Sequence, residues 1–398
     1  MSVETADPAA ARGGRSGGIA SAIRLRWLSI RDRLLADPRF QSWAAATPFT
    51  RPLARRRARE LYDVVAGFVY SQVLFACVQI RLFDRLADGP KSLAELAAAA
   101  DLEPGAMGRL LSAAESLRLV SRRGAGADGA AQYGLGELGA ALNGAPGVKE
   151  MVSHHALFYA DLADPLALLR AAPDGTGAET RLNAYWSYAG EGESAALADG
   201  QVADYSALMA ASQPLVAEEI LEAYPVARHR RLLDIGGGTG AFARAVAARA
   251  PEIDITVFDL PAVAARANAG FAAEGLSGRA RAVGGSFFDD PLPEGRDLVT
   301  LVRVIYDHQD AAAMRILRAA RAATPPGGAL LLAEPMADTP GAAPIGAAYF
   351  SFYLLAMGGG RSRSAQRLSE MAREAGFSEV RLLPARRPIL TRVLLARP

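Results

Sequence analysis

The chain has 398 residues, 51% of them hydrophobic and 22% charged, with a formal net charge of +2. That length predicts two or three domains, and near-neutrality gives no reason to expect nucleic acid as the main partner. A single cysteine, Cys77, excludes an intramolecular disulfide framework, and with only four histidines no metal site is expected.

Residues 1–17 are polar and rich in Gly and Ala, a composition that predicts disorder. Ile19, Ile23, Trp27, Ile30 and Leu34 then recur near helical spacing, with Arg24, Arg31 and Arg33 between them. Two readings fit: a helix lying on an anionic membrane surface, or a helix docked on protein. A basic cluster from Arg51 to Arg59 opens the next helix, and an apolar helical pattern broken once runs from Ala58 to Leu86. The apolar runs are short or carry arginine, so neither a transmembrane span nor a signal peptide is expected. Cys77 lies in an apolar run and reads as a core residue.

A compact series follows: a helix over Leu93–Ala99, a turn at Asp101–Pro104, a helix over Gly105–Leu117, and paired strands at Leu119–Arg123 and Gln132–Leu135. This is a winged-helix pattern. Its second helix is mostly apolar with one arginine, Arg109, whereas phosphate neutralisation wants several cations there. The pattern therefore favours a protein–protein role over DNA binding. Residues 146–225 read as helical with breaks near Asp164-Pro165 and Pro173-Asp174-Gly175. They carry His154, His155, Phe158, Tyr159, Tyr185, Trp186, Tyr188 and Tyr205, which suit either a wall for an apolar substrate or ordinary core.

From Arg231 onward strands alternate with helices. Strands are expected at 231–235, 254–259, 280–284, 297–305, 328–333, 378–383 and 391–396. The fold class is α/β, a doubly wound, mainly parallel Rossmann-like sheet preceded by an α-helical winged-helix domain. The expected organisation is an N-terminal extension over 1–50, a winged-helix domain over 51–145, a helical linker over 146–225 and a sheet domain over 226–398.

The first strand runs into Asp234-Ile235-Gly236-Gly237-Gly238-Thr239-Gly240, and a helix follows. Glycine permits positive φ and close approach of a ligand to the backbone, and a helix start offers free N–H groups. Gly236, Gly238 and Ala241 loosely satisfy a dinucleotide fingerprint. Asp234 to Gly240 also satisfies the tighter D-x-G-x-G-x-G spacing of S-adenosylmethionine enzymes. In both cases an acid ending the next strand binds ribose hydroxyls, and Asp259 fills that place.

Three further segments fall at carboxyl ends of strands: Gly284 to Asp290, Leu301 to His308, and Pro325 to Gly328 leading through a strand to Glu334-Pro335-Met336. With the glycine loop and Phe258-Asp259-Leu260-Pro261, they resemble the small-molecule O-methyltransferases that use S-adenosylmethionine. The resemblance covers roughly residues 55–398. It implies a homodimer formed through the N-terminal domain, and a cofactor held by Asp234, Gly236, Gly238, Gly240, Asp259, Leu260, Ser286, Phe287, Arg303 and Met209. Ser286 replaces the Asp that in the family meets the adenine amino group, and the charge goes with it.

In relatives acting on phenols a His removes the proton. Here Tyr306-Asp307-His308 puts Tyr306 at that position, and a neutral Tyr is a poor base. Of the two acids flanking the family's His, Glu334 is kept and the other, near Ser362, is lost. The Tyr-Asp-His segment, Arg361-Ser362-Arg363-Ser364 and the apolar Tyr349 to Tyr353 resemble the carotenoid O-methyltransferases of purple phototrophic bacteria. Those methylate the tertiary hydroxyl of 1-hydroxycarotenoids, as in the step from demethylspheroidene to spheroidene. The resemblance implies an apolar hydroxylated carotenoid as substrate; the single cysteine fits a reducing cytoplasm, and peripheral contact with the photosynthetic membrane is one of the two readings of the N-terminal helix. Tyr306 would orient the hydroxyl, and Glu334 or His308 would receive the proton. Alternatives are C-methylation of a bacteriochlorophyll ring, O-methylation of a phenol or polyketide, and a ligand-sensing regulator.

Overall fold

The structure is a computed structural model that describes residues 13–126, 129–145, 147–171, 179–186, 213–389 and 391–398. It divides into two units, Met1–Val73 and Leu74–Pro398.

In the first unit a helix spans Gly13–Ala36, so residues 13–17, expected to be disordered, are helical. A second helix, Pro38–Ala46, starts at Asp37, whose carboxylate accepts the Arg39 amide at 2.8 Å. The third helix, Arg51–Gln79, continues into the next unit and stops where Arg81 takes φ +54°. By length and composition it is long and apolar enough to cross a membrane, which the sequence reading did not expect. Its arginines are confined to the first turns, and beyond Glu60 the run to Gln79 is mainly apolar, with Asp63 its one charged residue.

The second unit begins with the winged helix. Strands β1 (Lys91–Ser92), β2 (Val120–Ala125) and β3 (Ala131–Leu135) form an antiparallel sheet in the order β1-β3-β2. Ser92 and Glu95 form a reciprocal cap on the helix Leu93–Ala99. The second helix, Pro104–Ser116, turns Met107, Leu111 and Ala114 inward, so its apolar residues are spent on core.

The main sheet has seven strands: β4 (Arg231–Ile235), β5 (Asp254–Asp259), β6 (Ala280–Gly284), β7 (Leu298–Val302), β8 (Ala329–Glu334), β9 (Glu379–Leu382) and β10 (Arg392–Arg397). Their order is β6-β5-β4-β7-β8-β10-β9. The first five run parallel, and β10 inserts antiparallel between β8 and β9. Alternation along β4 sends Leu232 to one face and Leu233 and Ile235 to the other, each into a separate buried cluster. With both faces covered, β7 and β8 are buried along their whole length. Strand β7 ends at Val302, short of the expected 305, because the chain turns there into a 3₁₀ segment, Ile305–Asp307. The switch between β4 and β7 leaves the glycine loop and the 3₁₀ segment side by side at the carboxyl ends.

Candidate active site

Gly236, Gly238 and Gly240 all have positive φ, at +67°, +60° and +86°. Two are walled in: a Cβ on Gly236 would stand 2.8 Å from Val304 Cγ2, and one on Gly240 would collide with the Phe271 ring. Gly238 has nothing within 4 Å on that side. The loop therefore presents bare backbone to an open space at the start of the helix Ala241–Arg249.

Asp259 sets the loop's shape. One carboxylate oxygen accepts the Gly238 amide at 2.7 Å and the other the Leu260 amide at 2.8 Å. Burial raises its pKa, and these two amides oppose the rise. Asp234 lies beneath the loop, wholly buried. Its Oδ1 accepts the Thr300 hydroxyl at 2.7 Å, and its Oδ2 has no partner. Burial lifts its pKa to about 7. A side chain at 237 would collide with that carboxylate, which explains the third glycine.

Ser286, which carries no charge of its own, has two acidic neighbours. The Ser286 hydroxyl donates to Asp289 at 3.0 Å, and its amide donates to Asp290 at 2.9 Å. A tight turn thus brings two carboxylates onto Ser286. Phe287 and Phe288 meet edge to face at 4.7 Å, and the His308 ring stands edge-on to both, at 5.6 and 5.5 Å. Burial, with Arg363 adding to it, lowers the His308 pKa to about 4, so the imidazole is neutral. Its ring keeps company with Phe287 and Phe288. Met209 lies outside the described residues.

A second group lies across from the loop. Arg303 takes φ +57°, and its amide donates to the Ala333 carbonyl at 2.8 Å. Its guanidinium donates to the Tyr306 hydroxyl at 3.4 Å, and the Asp307 carboxyl beside it favours its charge. Tyr306 is buried, and burial keeps its hydroxyl protonated well above the ordinary phenol range, against the pull of Arg303. Glu334 Oε1 accepts the amides of Val304 and Ile305 at 3.1 and 2.7 Å, while Oε2 is buried without a partner. Asp307 Oδ1 is likewise buried and unpartnered. Burial raises Asp307 to about 7. Burial and the neighbouring Asp307 charge raise Glu334 to about 8. The structure thus brings Arg303, Tyr306 and Glu334 together and adds Asp307, which the sequence reading did not assign.

The segment carrying Tyr306 and Asp307 is clamped from outside. Arg363, buried, donates to the carbonyls of Ile305, His308 and Arg361 at 3.0, 2.7 and 3.1 Å and to Asp310 at 2.9 Å. The Arg361 amide donates to the Tyr306 carbonyl at 2.8 Å. A Cβ on Gly360 would stand 2.6 Å from that oxygen. Next to this lies an aromatic wall. His154 pairs with the Tyr353 hydroxyl at 3.1 Å and His155 with that of Tyr349 at 2.8 Å. Tyr349 and Tyr353 stack at 5.7 Å, and Phe158 meets both edge-on. Burial lowers both histidines to about 4, so each polar tip is satisfied by a neutral pair. Tyr185 and Trp186 side chains, Tyr188 and Tyr205 lie outside what is described.

A doubly wound sheet with a glycine-loop cradle facing a buried acid, tyrosine and arginine cluster defines a group-transfer enzyme of the nucleotide-cofactor class. An O-methyltransferase domain model matches residues 174–378, and an O-methyltransferase dimerisation domain model matches residues 62–143. The chain belongs to the O-methyltransferase family. It is 42% identical to the demethylspheroidene O-methyltransferase of Cereibacter sphaeroides over 92% of this chain and 93% of that one. With the enzyme of the same description from Rhodobacter capsulatus it is 39% identical, over 92% and 88%. Among solved structures it is similar to human N-acetylserotonin methyltransferase in complex with S-adenosylmethionine, at 26% identity and a TM-score of 0.67. That match covers 86% of this chain and 97% of the human one.

Proposed function

We propose that this chain transfers a methyl group from S-adenosylmethionine to the tertiary hydroxyl of a 1-hydroxycarotenoid, in a step of the demethylspheroidene-to-spheroidene type. The observation that carries this reading is the 42% identity along nearly the whole length of a demethylspheroidene O-methyltransferase. The site agrees chemically. A residue of the phenol-deprotonating kind is replaced by Tyr306, and the wall beside it is aromatic with its polar tips paired off, which suits a long apolar molecule.

The residues fit the cofactor. Gly238 leaves its backbone open, Asp259 offers its remaining lone pairs to ribose hydroxyls, and Phe287 with Asp289 serves the adenine side. Asp234, Gly236 and Gly240 shape the loop from below and behind. When bound, S-adenosylmethionine supplies an electrophilic methyl on a sulfonium. The protein's share is to align the substrate oxygen and accept its proton.

Tyr306, kept protonated, orients the hydroxyl, and its bonds to Arg303 and Asp307 fix the tyrosine. The proton passes late, as the oxygen forms its bond to carbon, because a tertiary alcohol is too weak an acid to ionise first. Glu334 or Asp307 receives it: each holds a buried unpartnered oxygen, and each titrates near neutrality. His308 is less suited, being neutral, weakly basic and packed against Phe287 and Phe288.

The enzyme works as a homodimer through its N-terminal domain. The helix Arg51–Gln79 exposes Tyr62, Val64, Val65, Phe68 and Val69, residues at the start of the matched dimerisation region, and a second copy would cover them. We propose a cytoplasmic enzyme in peripheral contact with the membrane that dissolves its substrate.

Incubation with methyl-labelled S-adenosylmethionine and a panel of hydroxycarotenoids and chlorins tests the reading. A labelled methoxycarotenoid identified by mass is expected. A labelled chlorin, or no labelled carotenoid, would overturn it.

A further inference from the structure

The first helix carries a pattern that neither the cofactor site nor the dimerisation region uses. At about 100° per residue, Ile30, Ile23, Leu34 and Trp27 fall within an arc of about 60°. Arg26 and Arg33 flank that arc on one side, Arg24 and Arg31 on the other. All four apolar side chains are exposed, Ile23 and Trp27 by 65% and 61%. The Arg31 guanidinium stands 5.8 Å over the Trp27 ring, and Leu28, on the opposite side, is half-buried. An apolar stripe between two rows of long cations is the arrangement that lets rings and aliphatic chains enter a bilayer interface while guanidinium heads reach back to the phosphates.

The charge of this region is also set apart. Residues 13–60 hold eleven arginines and three carboxylates, in a chain whose whole formal charge is +2. Their sign opposes that of an anionic membrane surface. The matched dimerisation region starts only at residue 62. The human methyltransferase is matched over 97% of its length by 86% of this chain, so about a seventh of this chain is additional to that fold.

We infer that the helix Gly13–Ala36 is a lipid-surface anchor: its Ile23–Trp27–Ile30–Leu34 stripe enters the interface of an anionic bilayer, and Arg24, Arg26, Arg31 and Arg33 bind the phosphates. This deepens the functional reading, since a carotenoid is dissolved in a membrane and must be met there, but its test stands apart from methylation.

The full-length protein is mixed with phosphatidylcholine vesicles with and without phosphatidylglycerol, and bound protein is measured by flotation. Binding is expected on the anionic vesicles, weakening as salt is raised. With W43F and W186F leaving Trp27 as the sole tryptophan, its emission shifts to the blue on binding. Ile30→Asp reduces partitioning about tenfold or more, whereas Ser21→Asp, which adds the same charge on the opposite side, leaves most of it. Replacing the four arginines by glutamine removes the preference for anionic lipid. Absence of binding to anionic vesicles at low salt would overturn the inference, as would equal binding by Ile30→Asp and wild type. So would conversion of dimer to monomer by Ile30→Asp, which would make this face an interface between copies. If the functional reading is what fails, wild type floats with vesicles yet labels no hydroxycarotenoid. If the anchor is what fails, detergent-dispersed hydroxycarotenoid is methylated and nothing floats.

Discussion

Arg363 Nη2 donates to the carbonyl oxygen of His308 at 2.7 Å, joining two loops 55 residues apart in sequence. With its bonds to Ile305, Arg361 and Asp310, it fixes the turn that carries Tyr306 and Asp307. Arg363→Lys keeps a cation near Asp310 but loses the planar fork that serves three carbonyls at once. The expected result is a turnover about 10–100-fold lower with cofactor affinity nearly unchanged. Steady-state kinetics and calorimetric titration with S-adenosylhomocysteine check it. Arg363→Ala leaves buried carbonyls and Asp310 unpaired and is expected to cost about 2–4 kcal/mol of stability in a denaturant titration.

Two glycines of one loop should respond differently. Gly240→Ala drives a methyl into Phe271 at φ +86°, so overpacking and strain add, and a loss of about 2–4 kcal/mol is expected. Gly238→Ala meets open space and suffers mainly backbone strain of about 1 kcal/mol. Its methyl points where the ligand comes, so cofactor binding should weaken about tenfold or more. Thermal unfolding and cofactor titration separate the two effects.

Tyr306→Phe removes the hydroxyl and keeps the ring. If Tyr306 orients the substrate oxygen, single-turnover methylation should slow by about tenfold or more while cofactor binding holds. An unchanged rate would reduce Tyr306 to a wall of the pocket.

The pH dependence follows from three carboxyl groups raised mainly by burial: Asp234 to about 7, Asp307 to about 7 and Glu334 to about 8. Each binds its proton more tightly in the folded chain than in the unfolded one, where it titrates near pH ~4. Their contribution to stability is therefore fullest below that value and falls as pH rises through about 7 and 8. Cofactor-free protein should lose melting temperature across that window, and Glu334→Gln should lessen the loss. Activity should run the opposite way. A carboxylate that accepts the proton must be ionised, so turnover should climb from pH 6 to 8 along a limb that Glu334→Gln flattens.

Much of the cofactor half was legible from residue order alone. The glycine loop, Asp259 and the strands from Arg231 onward are local signals, each a short run whose spacing dictates its backbone. What escaped depends on tertiary proximity. The pairing of His154 with Tyr353 and His155 with Tyr349 joins residues almost 200 positions apart, and Arg363 reaches its carbonyls only once β8 and the loops beyond it are packed. The surroundings of Ser286 escaped for a smaller reason. The turn brings Asp289 and Asp290 onto it, a matter of loop geometry that composition does not show. Asp307 was visible beside Tyr306, but its unpartnered oxygen and its influence on Glu334 are properties of burial.

Both oxygens of Asp259 are already engaged, one by the loop amide of Gly238 and one by the helix-start amide of Leu260. The cradle is thus rigid before any ligand arrives. Little conformational entropy remains to be lost on capture, so cofactor association should follow the rate of molecular encounter and show no slow ordering phase. Turnover should then be set by the other partner, whose entry beside the stacked Tyr349 and Tyr353 becomes the slower event.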